Sequence, residues 1–198
     1  MSPRNYDMSK RAATVATTRR RIVDATRELH TEQGIAATSW DQIAARAGVG
    51  VGTVYRHFPT LDDLVPACGE IAMEIVALPD PASAPALFDD LHEPAERIAR
   101  LVQQVFAIYE RGAPELHVVR REPDAHSSVA ELNKTLEATL SALVVAALPD
   151  ASPHDRAVTR AMIDLDTWQA MRAAGLDTAA IVEVVSDMLA ARLAGAPR

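Results

Sequence analysis

The twenty residues SWDQIAARAGVGVGTVYRHF, Ser39 to Phe58, constrain the fold more than any other stretch of the chain. Thr38 or Ser39 is placed to cap a short helix, and Gly48 supplies the turn that ends it near Ala47. A second short helix follows over about Val51 to Phe58, with Gly50 at its N-terminal edge. This spacing lets Ile43, Ala44, Ala47, Val49 and Val54 pack inside a small three-helix unit and leaves the outer face of the second short helix uncovered.

The rest of the chain carries the same helical punctuation and no convincing strand alternation, so the fold class is all-α. A basic arm is expected over residues 1–14. A first helix is expected from about Thr17 to Gln33, with Ile22, Ala25 and Leu29 apolar and Gly34 as its stop. Thr60 caps a fourth helix whose first turn holds Asp62 and Asp63, and Pro66 should bend it. PDPASAP, Pro79 to Pro85, reads as a loop. Beyond it, Pro94 to Gly112 forms a long amphipathic helix, Pro114 to Arg121 a short one, and Val129 to Ala147 another long one. Ser152 and Pro153 open a helix that runs to Gly175, and Asp177 caps the last, which Gly195 ends. About nine helices result. They divide into the arm (1–14), a small helical unit (15–60), a connecting helix (61–78) and a larger domain (79–198).

The apolar content of 48% and charged content of 24% are those of a globular protein. The longest apolar runs, such as Ala142 to Leu148, fall far short of the roughly 20 residues needed to span a bilayer, and the N-terminus lacks a secretory core. A cytoplasmic protein with no membrane partner is expected. Cys68 is the single cysteine, so no internal disulfide can form. The six histidines show no metal-ligand spacing, and neither a metal nor another cofactor is expected.

Charge is unevenly placed. The net charge of −7 conceals +4 over residues 1–60, where nine Lys or Arg face five acids, and −11 over the remainder. Such asymmetry points to two parts with different partners, the basic one suited to a polyanion. Thr53, Tyr55, Arg56 and His57 concentrate hydrogen-bond donors on one short helix, preceded by glycines that permit close backbone approach, and that helix has the size to enter a DNA major groove.

RRRIVDATRELHTEQG followed by TSWDQIAARAGVGVGTVYRHFPTLDDL resembles the DNA-binding domain of the TetR family of transcriptional regulators. The resemblance covers about the first third of the chain; the remainder matches only the family's general helical layout. It implies a homodimeric helix-turn-helix regulator, a repressor, that binds a palindromic operator in double-stranded DNA and is released by a small-molecule effector. Ser39 and Trp40 then stand where phosphate is met, and Asp41, Val51, Gly52 and Thr53 where base edges are read. Tyr55, Arg56 and His57 stand where the strand backbone is gripped. Three departures are visible: Leu61 replaces a common Lys, Gly50 replaces a common Ser, and Val51 and Gly52 offer only apolar or steric readout.

In the larger domain, Phe106, Tyr109, Met162 and Trp168 are expected to line a mainly apolar effector cavity, with His117 and Arg120 as polar partners. The resemblance places the dimer contact on the last two long helices, where Ile181, Val184, Val185 and Met188 form an apolar stripe. No nucleophile is paired with a base and no phosphate loop is present, so a non-enzymatic role is expected. The alternatives are a helical interaction module with a vestigial DNA domain, and an α-helical enzyme.

Overall fold

The computed structural model describes residues 8–195, with side chains from residue 11 onward. Nine α-helices, no strands and two short 3-10 turns make up the described residues. The helices are α1 (Met8–Gln33), α2 (Trp40–Ala47), α3 (Val51–His57), α4 (Leu61–Val76), α5 (Pro94–Arg121), α6 (Ser127–Ala147), α7 (Pro153–Met162), α8 (Leu165–Ala173) and α9 (Thr178–Ala194). They group into two compact units. Among the described residues, the first holds 8–72 and His117–Ala130, the second Met73–Leu116 and 131–195.

The expected count of nine is met for two reasons that offset each other. Gly112 is not a stop: α5 continues through it with a kink (φ −131°, ψ 20°) and carries Pro114 inside. A Cβ at Gly112 would lie 2.5 Å from Val76 Cγ2, so close packing against Val76 requires glycine there. Conversely, the expected helix from Pro153 to Gly175 is broken. Ile163 ends α7, and Asp164 caps α8 by accepting from the Asp166 amide at 3.0 Å.

Two further expectations are corrected. Helix α1 begins at Met8, so residues 8–14 are helical rather than an irregular arm; residues 1–7 lie outside the described ones. The Pro79–Pro85 stretch contains the first 3-10 turn, Pro81–Ser83, capped by Asp80, and a second, Pro85–Leu87, begins at its end.

The first unit is built around Ile22, Val23, Leu29, Ile43, Val54, Phe58 and Leu64, all buried. Its turns follow the sequence signals. Gly34 (φ +96°) and Gly48 (φ +64°) occupy the left-handed region that ends α1 and α2. Segment 117–130 joins this unit through two side chains. The Glu122 carboxylate accepts from the Ala36 amide at 2.9 Å, and a Cβ on Gly34 would collide with that carboxylate. These bonds to the Ala36 and Ile35 amides, with the Arg121 guanidinium alongside, hold its pKa below the usual carboxylate range against the opposing effect of burial. His126 Nδ1 accepts from the Ser128 amide at 3.1 Å, which leaves Nε2–H to donate to Asp62 at 2.8 Å.

The second unit buries a continuous core that includes Phe88, Leu101, Phe106, Tyr109, Leu140, Ile163, Trp168 and Ile181. Arg97 ties its elements together by donating to four carbonyls, those of Phe88, Leu91, Ala146 and Ala147, at 2.6–3.0 Å. Two of the C-terminal carbonyls of α6, those of Ala146 and Ala147, thereby gain a donor.

Candidate nucleic-acid interface

Ser39 fixes the start of α2. Its hydroxyl accepts from the Gln42 amide at 3.3 Å while the Gln42 side chain accepts from the Ser39 amide at 2.9 Å, a reciprocal capping box. The Ser39 hydroxyl also donates to Gln42 Oε1 at 3.0 Å, so the group expected to meet phosphate already has partners. Gln42 is held in turn by Gln33, whose Nε2 donates to it at 3.1 Å. The first turn of α2 is therefore anchored on both sides.

Helix α3 divides cleanly into two faces. Val54 is buried beneath it, whereas Val51, Gly52, Tyr55 and Arg56 are exposed at the i, i+1, i+4, i+5 spacing of a single helix face. Thr53 and His57 are half-buried at the edges of this face. The Tyr55 phenol and the Arg56 guanidinium have no hydrogen-bond or ion-pair partner among the described residues. Half-buried Trp40, the first residue of α2, lies against the Tyr55 ring with centroids 4.9 Å apart and planes tilted by 34°. Asp41, in the same turn, is exposed.

Most of the other basic residues of this unit are engaged internally, which the bare charge tally does not reveal. Arg46 sits between Glu32 (2.7 Å) and Glu28 (3.2 Å); the pairing raises its own pKa and lowers that of Glu32. Arg21 donates to the carbonyls of Ala47 and Gly48 and so closes the C-terminus of α2. Arg20 pairs with Asp24 at 3.1 Å, and Arg19 stacks over Phe58 at 4.6 Å. The outward-facing Arg56 stands apart from these.

Leu61 opens α4 with its side chain exposed, and Gly50 caps α3 without any side-chain bond. Cys68 is buried in this unit, and burial pushes its thiol up to about 12. It stays protonated at neutral pH, which is the unreactive form. No group of three or more His, Cys, Asp or Glu able to hold a metal occurs among the described residues.

In the second unit, Phe106, Tyr109 and Trp168 form an aromatic chain, with centroids 6.0 Å apart for the first pair and 6.1 Å for the second. All three are buried, and Met162 packs half-buried against the same core. Tyr109 donates to the Ile163 carbonyl at 3.0 Å, whereas the Trp168 indole N–H has no acceptor among the described residues. These residues pack as core. A cleft of about 730 Å³ opens elsewhere, lined by residues including Leu91, Arg97, Leu148, Asp155 and Leu193. His117 and Arg120, expected beside the aromatic group, fall in the first unit instead.

The stripe on α9 also divides. Ile181 and Val185 are fully buried in the chain's own core and cannot face a second copy, whereas Val184 and Met188 are 41% and 52% exposed along the adjoining edge of the same stripe. Ile181 and Val185 are thus corrected from interface to core.

Residues 22–68 match the family described as bacterial regulatory proteins, tetR family. The match covers the helix-turn-helix segment, about a quarter of the chain. The HTH-type transcriptional regulator SrpR of Pseudomonas putida is 49% identical over 49 residues, 25% of this chain but only 23% of SrpR. The HTH-type transcriptional repressor KstR of Rhodococcus jostii (strain RHA1) is 26% identical over 183 residues, covering 86% of this chain and 82% of KstR. A crystal structure of a TetR-like regulator from Rhodococcus sp. RHA1 superimposes with a TM-score of 0.62 at 20% identity, over 91% of this chain and 98% of that one. The regulator FadR from Bacillus subtilis, in complex with stearoyl-CoA, gives 0.55 at 20% identity, over 86% and 96%. The TetR fold therefore extends beyond the matched segment into the second unit. No helix among the described residues is long and apolar enough to cross a membrane.

Sequence reasoning missed Glu122 and His126, which bind the helix-turn-helix unit from 60 or more residues away. Neither is marked by any local signal.

Proposed function

We propose that the chain is a ligand-responsive transcriptional repressor that binds a palindromic operator as a dimer in the cytoplasm. The observation that carries this reading is the outward face of α3, where Tyr55 and Arg56 hold donors with no partner among the described residues. Val51, Gly52, Thr53 and Asp41 meet base edges, and Tyr55, Arg56 and His57 grip the strand backbone. Ser39 serves chiefly to cap α2.

The name of KstR supports repression, and the stearoyl-CoA bound to FadR supports an effector with a large apolar body. We place that effector against Phe106, Tyr109, Met162 and Trp168. Because these side chains pack as core, binding must part them, and the ligand then prefers a different arrangement of the helices from the one shown here. Dimerisation uses the face of α9 that carries Val184 and Met188. Two half-sites one helical turn apart have centres about 34 Å apart, so a shift of a few ångströms between recognition helices removes most of the specific affinity.

Selection of bound duplexes from a random pool tests the reading. An enriched palindrome, retained by wild type and lost by Arg56→Ala, is expected. No enrichment at low salt would sink the DNA-binding role and favour an interaction module.

A further inference from the structure

We propose that Trp40 is a positioning residue: it acts on DNA through Tyr55, holding the phenol where a backbone phosphate oxygen can accept its proton. The inference rests on the DNA-binding reading of α3 and makes a narrower claim about one contact.

An exposed tyrosine on a short helix would ordinarily sample several rotamers, and ordering it on binding costs affinity. Tyr55 is 45% exposed, yet one face of its ring is covered by the Trp40 indole at 4.9 Å. The tilt of 34° fits an offset aromatic pair. Trp40 is itself held. It is the first residue of α2, next to the Ser39–Gln42 capping box, and Gln33 braces Gln42 from α1. Helices α1 and α2 thus fix the backbone from which the indole projects, and the indole covers one face of the phenol ring. The Tyr55 Oη has no protein acceptor among the described residues, so its proton remains available to an external oxygen. Trp40 is half-buried, with its ring against that of Tyr55.

The test is a double-mutant cycle on the full-length chain, read as affinity for the selected operator and for a random duplex. Trp40→Leu should weaken both duplexes by about threefold to tenfold, the range expected when one side chain must be ordered on binding. Trp40→Phe, which keeps a stacking ring, should recover most of the loss. In a Tyr55→Phe background the Trp40→Leu effect should shrink below about twofold, because the phenol it positions is gone. The salt dependence should be unchanged in Trp40→Leu, since no cation is removed, whereas Arg56→Ala should reduce the slope by about one.

Upfield-shifted Tyr55 ring protons in the NMR spectrum of the free protein, lost in Trp40→Leu, report the stacking without DNA. Additive effects of Trp40→Leu and Tyr55→Phe, or failure of Trp40→Phe to rescue, would overturn the proposal while leaving the DNA-binding reading intact. A wild-type chain that enriches no duplex overturns the reading itself and the role with it, even if the ring-current shift is present.

Discussion

The two units hold their unpartnered polar groups on opposite sides of their surfaces. In the first, the Tyr55 phenol and Arg56 guanidinium face outward on α3, where water solvates them. In the second, the hydroxyls of Thr159 and Ser186 and the indole N–H of Trp168 are buried with no hydrogen-bond partner among the described residues. Each such buried group costs roughly 1–3 kcal/mol of stability, whereas the exposed ones cost nothing until they bind. A unit of the first kind works by its surface and needs no rearrangement. A unit of the second kind concentrates its chemistry inside, and its stability and its function are harder to separate.

The sharpest way to break that comparison is to truncate one residue on each side of it. Phe106→Ala removes a fully buried ring from the second core and should lower the unfolding free energy by about 3–5 kcal/mol. Arg56→Ala removes an exposed, unpartnered side chain and should change it by less than about 0.5 kcal/mol while weakening DNA binding. Chemical denaturation of both variants, beside operator titrations of Arg56→Ala, decides the matter. Comparable stability losses would show that the face of α3 is not a free surface.

The same contrast explains how much could be read from sequence. Helices α2 and α3, their caps and their turns are specified within a few residues: Ser39 and Gln42 are three apart, and Gly48 directly follows Ala47. The start of α1 was not legible, because its first turns are exposed from Arg11 to Thr17 and leave no apolar period to detect. Gly112 reads as a stop until Val76, 36 positions earlier, is seen packed against it. Asp164 and the break before α8 were visible in principle, as an acidic cap after Ile163, but the apolar residues on either side concealed it. On α9 the sequence shows that Ile181, Val184, Val185 and Met188 are apolar; which of them face the core depends on α7 and α8, elsewhere in the chain. The effector region was legible as a set of aromatic residues and illegible as a cavity, since packing decides between the two.

Proton linkage sharpens the comparison inside the first unit, where the titratable side chain of His30 is buried. Burial lowers the pKa of His30 from 6.5 to about 4, with Glu122 opposing the shift. Between those values the unfolded chain binds a proton that the folded chain refuses. The stability is therefore fully present above about pH 6.5 and is lost as pH falls toward 4, by roughly 3 kcal/mol in all. Denaturation midpoints measured across this window should fall with pH in wild type, and less steeply in His30→Leu. Equal slopes would place the linkage on other groups.

Thr159→Val tests the buried side. The hydroxyl of Thr159 has no partner and the residue is fully buried, so replacing it with a methyl group of similar shape should stabilise the second unit by about 1 kcal/mol, against the usual direction for a core substitution. Destabilisation by a similar amount would mean that the hydroxyl is satisfied in solution and that the contrast between the units is weaker than the structure indicates.

The smallest expected effect is also the one in which stability and function should move oppositely. Gly52 lies inside α3, where glycine costs about 0.5–1 kcal/mol relative to alanine. Gly112 and Gly34 have intramolecular reasons to be glycine, but a Cβ on Gly52 would meet nothing within 4 Å. Its cost thus has no explanation inside the chain, and the exposed face it occupies is the one assigned to base edges. Gly52→Ala should raise the unfolding free energy by up to about 1 kcal/mol and weaken operator binding, because the added methyl group stands between the helix backbone and the groove. Thermal melts and operator titrations on the same preparation give both signs. A variant that is more stable and binds at least as well would show that DNA does not approach α3 closely at this position, and the base-edge role of Gly52 would have to be abandoned.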